Sequence, residues 1–353
     1  MIRVFDFFSG CGGTSLGFAQ AGMKVVLGLD NDPDAAKTFR RNIKGAAFIE
    51  KDIRRVPAGA LAPLLDLADG PVLFSCCAPC QPFSKQSRSK CAGDPRRSLL
   101  REFARFVKRW KPDYIFVENV PGLQHVDRHE GPLGQFVALL DRMGYSHVVE
   151  VLPALRFGVP QKRERLILLA SRQPGLKIPP ATHGTSRQRA ATVRDWIGDL
   201  PTILAGQAHP ADPDHRAAGL SATNLKRIAA TPEGGGRDAW PKSLWLDCHK
   251  KFDGHTDVYG RLAWDRPASG LTTRCISYSN GRFGHPEQNR AISIREAACL
   301  QTFPRKYRFA GCHESKARQV GNAVPPLMAK VIGLAYLKHA AKYSGKRQKA
   351  DPA

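Results

Sequence analysis

Short apolar runs separated by helix-length amphipathic stretches fill the first half of the chain, and that spacing predicts strands alternating with helices. Residues 3–8 read as a first buried strand, 24–29 as a second, 46–49 as a third and Val72-Leu73-Phe74 as a fourth. Leu99, Phe103, Phe106 and Val107 form a core-facing stripe on a helix over 98–110, and a fifth strand follows at 114–117. A helix over 133–143 and strands at 147–152 and 166–170 continue the pattern. The expectation is an α/β fold with a doubly wound, mostly parallel sheet.

From about 171 to 269 the alternation fades. Prolines, glycines, histidines and basic residues rise, and Pro232-Glu233-Gly234-Gly235-Gly236-Arg237 is irregular. Gly270 leads back to regular structure. A helix from Ser293 carries Glu296, Ala297 and Leu300 and stops before Pro304, and a last helix covers 327–339. The expected organisation is a discontinuous larger domain of 1–170 and 285–342, a small irregular domain of 171–284, and a disordered basic tail of 343–353.

Candidate chemistry gathers where strands end, which is where open α/β sheets bind ligands. After the first strand comes Phe8-Ser9-Gly10-Cys11-Gly12-Gly13-Thr14-Ser15, in which glycines allow a sharp turn and Thr14 or Ser15 caps a helix. Ser15 stands where a dinucleotide fingerprint has its third glycine, so a different nucleoside fits better. Asp30-Asn31 ends the second strand, about 20 residues on, where a carboxylate receives ribose hydroxyls. Asp52-Ile53 repeats the pattern, suited to an adenine amino group and ring, and Glu118-Asn119 ends the fifth strand. Taken singly, Asp30 and Asp52 are each better read as a helix cap or a solvated loop; together with the glycine loop, at regular strand ends, they are much harder to dismiss.

The fourth strand runs into Cys76-Cys77-Ala78-Pro79-Cys80-Gln81-Pro82, where two prolines stiffen the turn around Cys80. A thiol held so is a candidate nucleophile. Cys77 and Cys80 also fit a C-x-x-C redox or half-zinc spacing, and free cysteines often only pack. The polar segment 85–97 reads as a lid over a site or an ordinary exposed loop. Gln161, Arg163 and Arg165 alternate, so a β conformation would aim two guanidiniums and an amide to one face.

Composition narrows the class. The 353 residues are 42% hydrophobic, enough for a sizeable core, and no stretch reads as long enough to span a membrane. The N-terminus enters a strand without a signal peptide's apolar region, so a cytoplasmic protein is expected. Nine cysteines, an odd number, do not form a disulfide framework, and Cys248, His249 and His255 are too few and irregular for a metal site. Against 31 acidic residues stand 54 basic ones, a net +23 that clusters along the chain and points to nucleic acid.

The ordered motifs resemble the DNA (cytosine-5)-methyltransferase family, bacterial type. Its carriers are Phe8-Ser9-Gly10-Cys11-Gly12-Gly13, Pro79-Cys80-Gln81, Glu118-Asn119-Val120 and Gln161-x-Arg163-x-Arg165. Arg295-Glu296-Ala297-Ala298-x-Leu300-Gln301-x-Phe303-Pro304 and Gln319-Val320-Gly321-Asn322-Ala323-Val324-Pro325-Pro326 complete the set. The resemblance covers nearly the whole chain except the middle insert. It implies an S-adenosylmethionine-dependent methyltransferase domain, with residues 171–284 as a target-recognition domain. It implies cofactor contacts at Phe8, Gly10, Gly12, Asp30, Asn31, Asp52, Ile53, Leu99 and Asn322. It also implies catalysis by Cys80, Glu118, Arg163 and Arg165, with Cys80 attacking carbon 6 of a cytosine extruded from the duplex. Glu118 would meet ring nitrogen 3, Arg165 supported by Arg163 would serve the ring oxygen, and Gln161 would position. A monomer acting on double-stranded DNA is expected, without metal or membrane, and a cognate restriction endonuclease is a possible companion. An RNA cytosine methyltransferase would share the chemistry; a silent DNA-binding protein would have little reason to keep Cys80, Glu118 and Arg165 together.

Overall fold

The structure, a computed structural model, describes residues 1–66, 70–78, 99–122, 131–250, 254 and 256–347. By contacts the chain forms two compact units: Met1–Pro153, Glu164–Pro180 and Pro326–Ala353 make the first, Ala154–Arg163 and Ala181–Pro325 the second.

The first unit begins β1 (Arg3–Phe7), α1 (Gly13–Ala21), β2 (Lys24–Asp30), α2 (Pro33–Asn42), β3 (Ala47–Glu50), α3 (Ala62–Leu65) and β4 (Val72–Cys76). It continues with α4 (Leu99–Trp110), β5 (Tyr114–Asn119), α5 (Pro132–Arg142) and β6 (Ser146–Pro153). The two-residue β7 (Gln161–Lys162) belongs to the second unit, and β8 (Glu164–Ser171) returns to the first. The seven-stranded sheet has the order β3-β2-β1-β4-β5-β8-β6. β3 to β5 pair in parallel, and β8 lies antiparallel to both β5 and β6. The order reverses between β1 and β4, so their carboxyl ends open a crevice at the switch point.

β1 and β4 are buried at every position because helices cover both faces of the sheet. Phe7 anchors the aromatic core, its ring centroid 5.2 Å from Phe74, 5.1 Å from Phe103 and 5.0 Å from Phe106. One carboxylate stands among these apolar side chains. Asp6 accepts hydrogen bonds from Ser15 Oγ at 2.6 Å and Ser75 Oγ at 2.8 Å, joining β1, α1 and β4. Burial pushes its carboxyl up to about 6, against the help of both hydroxyls. Ser15 therefore does not cap α1; Gly12, at φ 91°, occupies the cap position and no side chain caps it.

The second unit holds α6 (Val193–Ile197), β9 (Ala208–His209), β10 (Asp212–Arg216), α7 (Ala222–Ala229), α8 (Asp247–Lys250), β11 (Ala268–Ser269), α9 (Ile294–Leu300) and α10 (His313–Asn322). Its sheets are two short pairs, β9 with β10 and β7 with β11. Buried ion pairs hold this irregular chain. Arg295 bridges Asp212 at 2.6 Å and Asp214 at 3.4 Å, and Arg290 meets both Glu296 oxygens at 2.7 Å. Glu296 also closes a capping box with Ser293 at the start of α9. These bonds place 285–325, grouped by sequence with the larger domain, in contact with 203–216 inside the second unit. α10 was not legible as a separate helix.

α11 (Pro326–Arg347) returns to the first unit and runs well past the predicted end at 339, through the start of the expected disordered tail. Its last turns are tied down, since His339 Nε2 and the Tyr343 hydroxyl both donate to Pro174 O, at 3.0 and 2.6 Å. Contrary to the sequence expectation, one stretch, His313–Tyr343, is long and apolar enough to cross a membrane, but over half of its window is buried inside the protein. Met328, Ala329, Ile332 and Tyr336 are fully buried there. α11 packs on α1 at close range, where a Cβ on Gly17 would run into Pro326 O and Ala329 Cβ.

Gly17→Val should lower the melting temperature, at a cost of about 1–3 kcal/mol, in a thermal melt where Leu334→Gln on the exposed side of α11 changes little. An unchanged melt for Gly17→Val would contradict this packing. Asp6 gives a pH test. Its carboxyl titrates at 3.8 unfolded and at about 6 folded, so its contribution is most favourable below the unfolded value and is lost as pH rises through 6. Relative to Asp6→Asn, the native protein should therefore lose about 2 kcal/mol of unfolding free energy between roughly pH 4.5 and pH 7.5 in urea titrations.

Candidate active site

The loop leaving β1 is shaped by backbone conformation. Phe8, Gly10 and Gly12 have φ of 58°, 51° and 91°, and a non-glycine residue at such an angle is held there by its surroundings. Two bonds hold it: Ser9 N donates to Leu29 O at 3.0 Å, and Gly10 N to Asp30 Oδ2 at 2.8 Å. Asp30 Oδ1 accepts from Asp32 N at 3.0 Å, so this carboxylate ties the end of β2 to the glycine loop. Burial raises its pKa. Among the described residues, a Cβ on Gly10 would meet nothing within 4 Å, and the buried Ser9 Oγ has no hydrogen-bond partner. The loop thus leaves open space and an unused polar atom beside an acidic strand end.

Asn31 is exposed. Asp52 is engaged by its neighbour: Arg54 Nε and Nη2 lie 2.9 and 2.5 Å from its two oxygens, and Arg54 N bonds it at 2.9 Å. The Arg54 hydrogen bond, against partial burial, holds its carboxyl below the usual range. Ile53 and Leu99 are buried in one hydrophobic cluster, and Phe8 packs against its rim. Phe8, Gly10, Gly12 and Asp30 therefore meet at the ends of β1 and β2, while Ile53 and Leu99 lie in the hydrophobic cluster that Phe8 borders. Asn322 lies in the second unit, at the end of α10, with its side chain exposed.

At the ends of β4 and β5 the register sets Cys76 opposite Val117. Cys76 is fully buried, and burial drives its thiol far up from the usual range. Cys77 Sγ sits 3.4 Å from Thr14 Oγ1. Both are packing groups of the strand end. Asn119 Nδ2 donates to Ala78 O at 3.2 Å, which fixes the chain two residues before Cys80. Cys80 itself, the prolines beside it and the segment 85–97 lie outside the described residues.

Arg165 reaches this edge because β8 runs antiparallel, so its beginning lies at the carboxyl end of β5. Its Nε stands 2.7 Å from Glu118 Oε1, both side chains mostly buried. The contact is a close salt bridge made on Oε1 itself. The three-residue alternation does not survive. Gln161 ends in β7 and Arg165 in β8, and the chain breaks step at Arg163, whose Nη1 donates to Leu271 O at 2.9 Å and Gly321 O at 3.1 Å. Arg163 and Arg165 therefore belong to different units and do different work. Sequence reading missed Asp6, Ser9 and Ser75; a carboxylate inside an apolar strand run was the available signal for the first.

The profile of the C-5 cytosine-specific DNA methylase family matches residues 2–338. The chain is 42% identical over 335 residues to the Type II methylase M.HgiDII of Herpetosiphon aurantiacus, covering 93% of each protein. It is 33% identical to the Type II methyltransferase M1.HphI of Haemophilus parahaemolyticus, over 96% of this chain and 87% of that one. Among solved structures it matches a candidate DNA modification methyltransferase of an E. coli prophage, with a TM-score of 0.73 and 23% identity over 96% of this chain and 99% of that one. The chain belongs to the C-5 cytosine-specific DNA methylase family. It is a DNA (cytosine-5-)-methyltransferase with the α/β fold expected of one.

The Arg165–Glu118 pair should behave as a buried charge pair. Arg165→Met strands the carboxylate and should lower unfolding free energy by about 2–4 kcal/mol, while adding Glu118→Gln should return at least half of that loss in a urea titration. Strictly additive losses would contradict the pairing.

Proposed function

We propose that this enzyme transfers a methyl group from S-adenosylmethionine to carbon 5 of a cytosine within a specific duplex DNA sequence. The target base is swung out of the helix, and Cys80 bonds it covalently during the reaction. The observation that carries this reading is the Glu118–Arg165 pair at the end of β5, beside the loop that Asn119 anchors two residues before Cys80.

The donor supplies an electrophilic methyl group. The residues around β1 and β2 fit it, since the open space at Gly10, the spare Ser9 hydroxyl and the carboxylate of Asp30 suit an adenosine with a charged amino-acid tail. Asn31, Asp52, Ile53 and Leu99 extend that edge, and the family pattern adds Asn322.

Carbon 5 of cytosine is too poor a nucleophile to accept a methyl group unaided. The Cys80 thiolate adds to carbon 6, and the ring's π electrons move toward nitrogen 3 and carbon 5. The Glu118 carboxyl, at the end of β5, is the group to share a proton with nitrogen 3. Arg165 holds Glu118 in place and stabilises charge developing on the ring oxygen. Carbon 5 then takes the methyl group, a base removes its proton, and the electron pair left behind expels Cys80 as thiolate. Water is our choice for that base.

Residues 171–284 would read the DNA sequence, and the net charge of +23 would hold its phosphates. The relatives named as Type II methylases support a restriction-modification role, with a partner endonuclease. Cys80→Ser should lose methyl transfer by at least a thousandfold and form no covalent complex with DNA carrying 5-fluorocytosine, while still binding DNA in a gel shift. Full transfer by that variant would overturn the assignment.

A further inference from the structure

Arg227, in α7 of the second unit, is half-exposed, yet two hydrogen bonds and two aromatic rings fix its guanidinium. Nε donates to Leu244 O at 2.9 Å and Nη1 to Asn224 Oδ1 at 3.0 Å. The guanidinium carbon lies 5.3 Å from the centroid of the Trp240 ring and 5.6 Å from that of Tyr259.

The rings are fixed in their turn. Trp240 is buried and donates from Nε1 to Thr231 Oγ1 at 2.8 Å, and that hydroxyl donates to Arg227 O at 2.8 Å. Tyr259 meets Trp240 edge-on, with centroids 5.3 Å apart, and meets Tyr278 in the same way at 5.3 Å. Its backbone has φ 62°, a left-handed conformation that a bulky side chain keeps only where its surroundings impose it. Several separate segments of the second unit therefore set the position of one cation.

A counter-charge is what this cation lacks. Among the described residues no carboxylate pairs with Arg227, and its Nη2 makes no hydrogen bond. By contrast Arg282, half-exposed in the same unit, pairs with Asp257 at 3.0 Å. An arginine that only covered two rings could do so with its aliphatic stem, and ordering its fork as well costs rotamer entropy. A planar fork with Nε and Nη1 spent and Nη2 unused is arranged for one more acceptor. In a chain of net charge +23 that acts on DNA, an anionic acceptor is at hand.

We propose that Arg227 is a pre-set clamp for one backbone phosphate of the DNA duplex, with Asn224, Trp240 and Tyr259 holding it in position. This rests on the reading above that residues 171–284 handle the DNA. A phosphate contact fixes register without reading bases, so Arg227 serves every duplex sequence alike.

The test counts released ions as well as affinity. Binding to two duplexes of unrelated sequence is titrated between about 50 and 200 mM salt with native enzyme, Arg227→Gln and Arg227→Lys. Arg227→Gln should lower the slope of log affinity against log salt by about 1 and weaken both duplexes by the same factor. Arg227→Lys loses the stacked fork but keeps the charge, so it should keep the native slope. An unchanged slope in Arg227→Gln, an equal fall in both variants, or a loss confined to one duplex would overturn the proposal. Should Arg227→Gln fail to fold, Asn224→Asp decides: its carboxylate, three residues before Arg227 on α7, engages the guanidinium and should lower the slope by the same amount. An unchanged slope there would equally overturn it. Native enzyme photocrosslinked to a duplex carrying 5-iodouracil should yield crosslinked peptides from 171–284; none from that segment would instead sink the reading of it as the DNA-handling part.

Discussion

The pairing of Arg165 with Glu118 depends on one reversal of chain direction. Parallel strands deliver all their carboxyl ends to a single edge, and side chains at their starts are remote from it. β8 enters the sheet the other way, so the residue just inside its start stands at that same edge, 2.7 Å from Glu118. An all-parallel sheet could not have set this arginine against this carboxylate at the end of β5. The pairing at this edge follows from strand direction first and residue type second.

A second constraint lies one layer below. Asp6 is a buried acid whose two serine partners come from α1 and β4, the elements on either side of the switch point. Its charge is unfavourable in the core, and burial pushes its pKa to about 6. What it contributes is location: β1, the glycine loop's helix and the strand leading to Cys80 are fixed to one side chain. The loop above is fixed in turn by Asp30, through Gly10 N. Two carboxylates, one beneath the loop and one beside it, organise this end of the first unit.

Much of this was legible in the sequence. Every strand of the large sheet was visible as an apolar run, and Glu118, Asp30 and the glycine loop stood at strand ends where chemistry gathers. Strand direction was not legible, because periodicity reports which face is buried and not which way the chain runs; β8 is the case in point. Gln161 to Arg165 misled for a related reason. Alternation assumes an unbroken strand, and the chain passes from one compact unit to the other at Arg163. α10 stayed hidden because its apolar positions are few, and the end of α11 because its anchors, His339 and Tyr343, bond to Pro174, far away in sequence.

The measurement that bears most directly on the whole account is the identity of the product. Purified enzyme is incubated with duplex DNA and S-adenosylmethionine carrying a labelled methyl group, and the DNA is digested and its nucleosides separated by liquid chromatography and mass spectrometry. The label should appear in 5-methyl-2′-deoxycytidine and in no other nucleoside. Label in N4-methyl-2′-deoxycytidine or N6-methyl-2′-deoxyadenosine would contradict it, since neither exocyclic amine requires a thiol at carbon 6 or the paired charges at the end of β5.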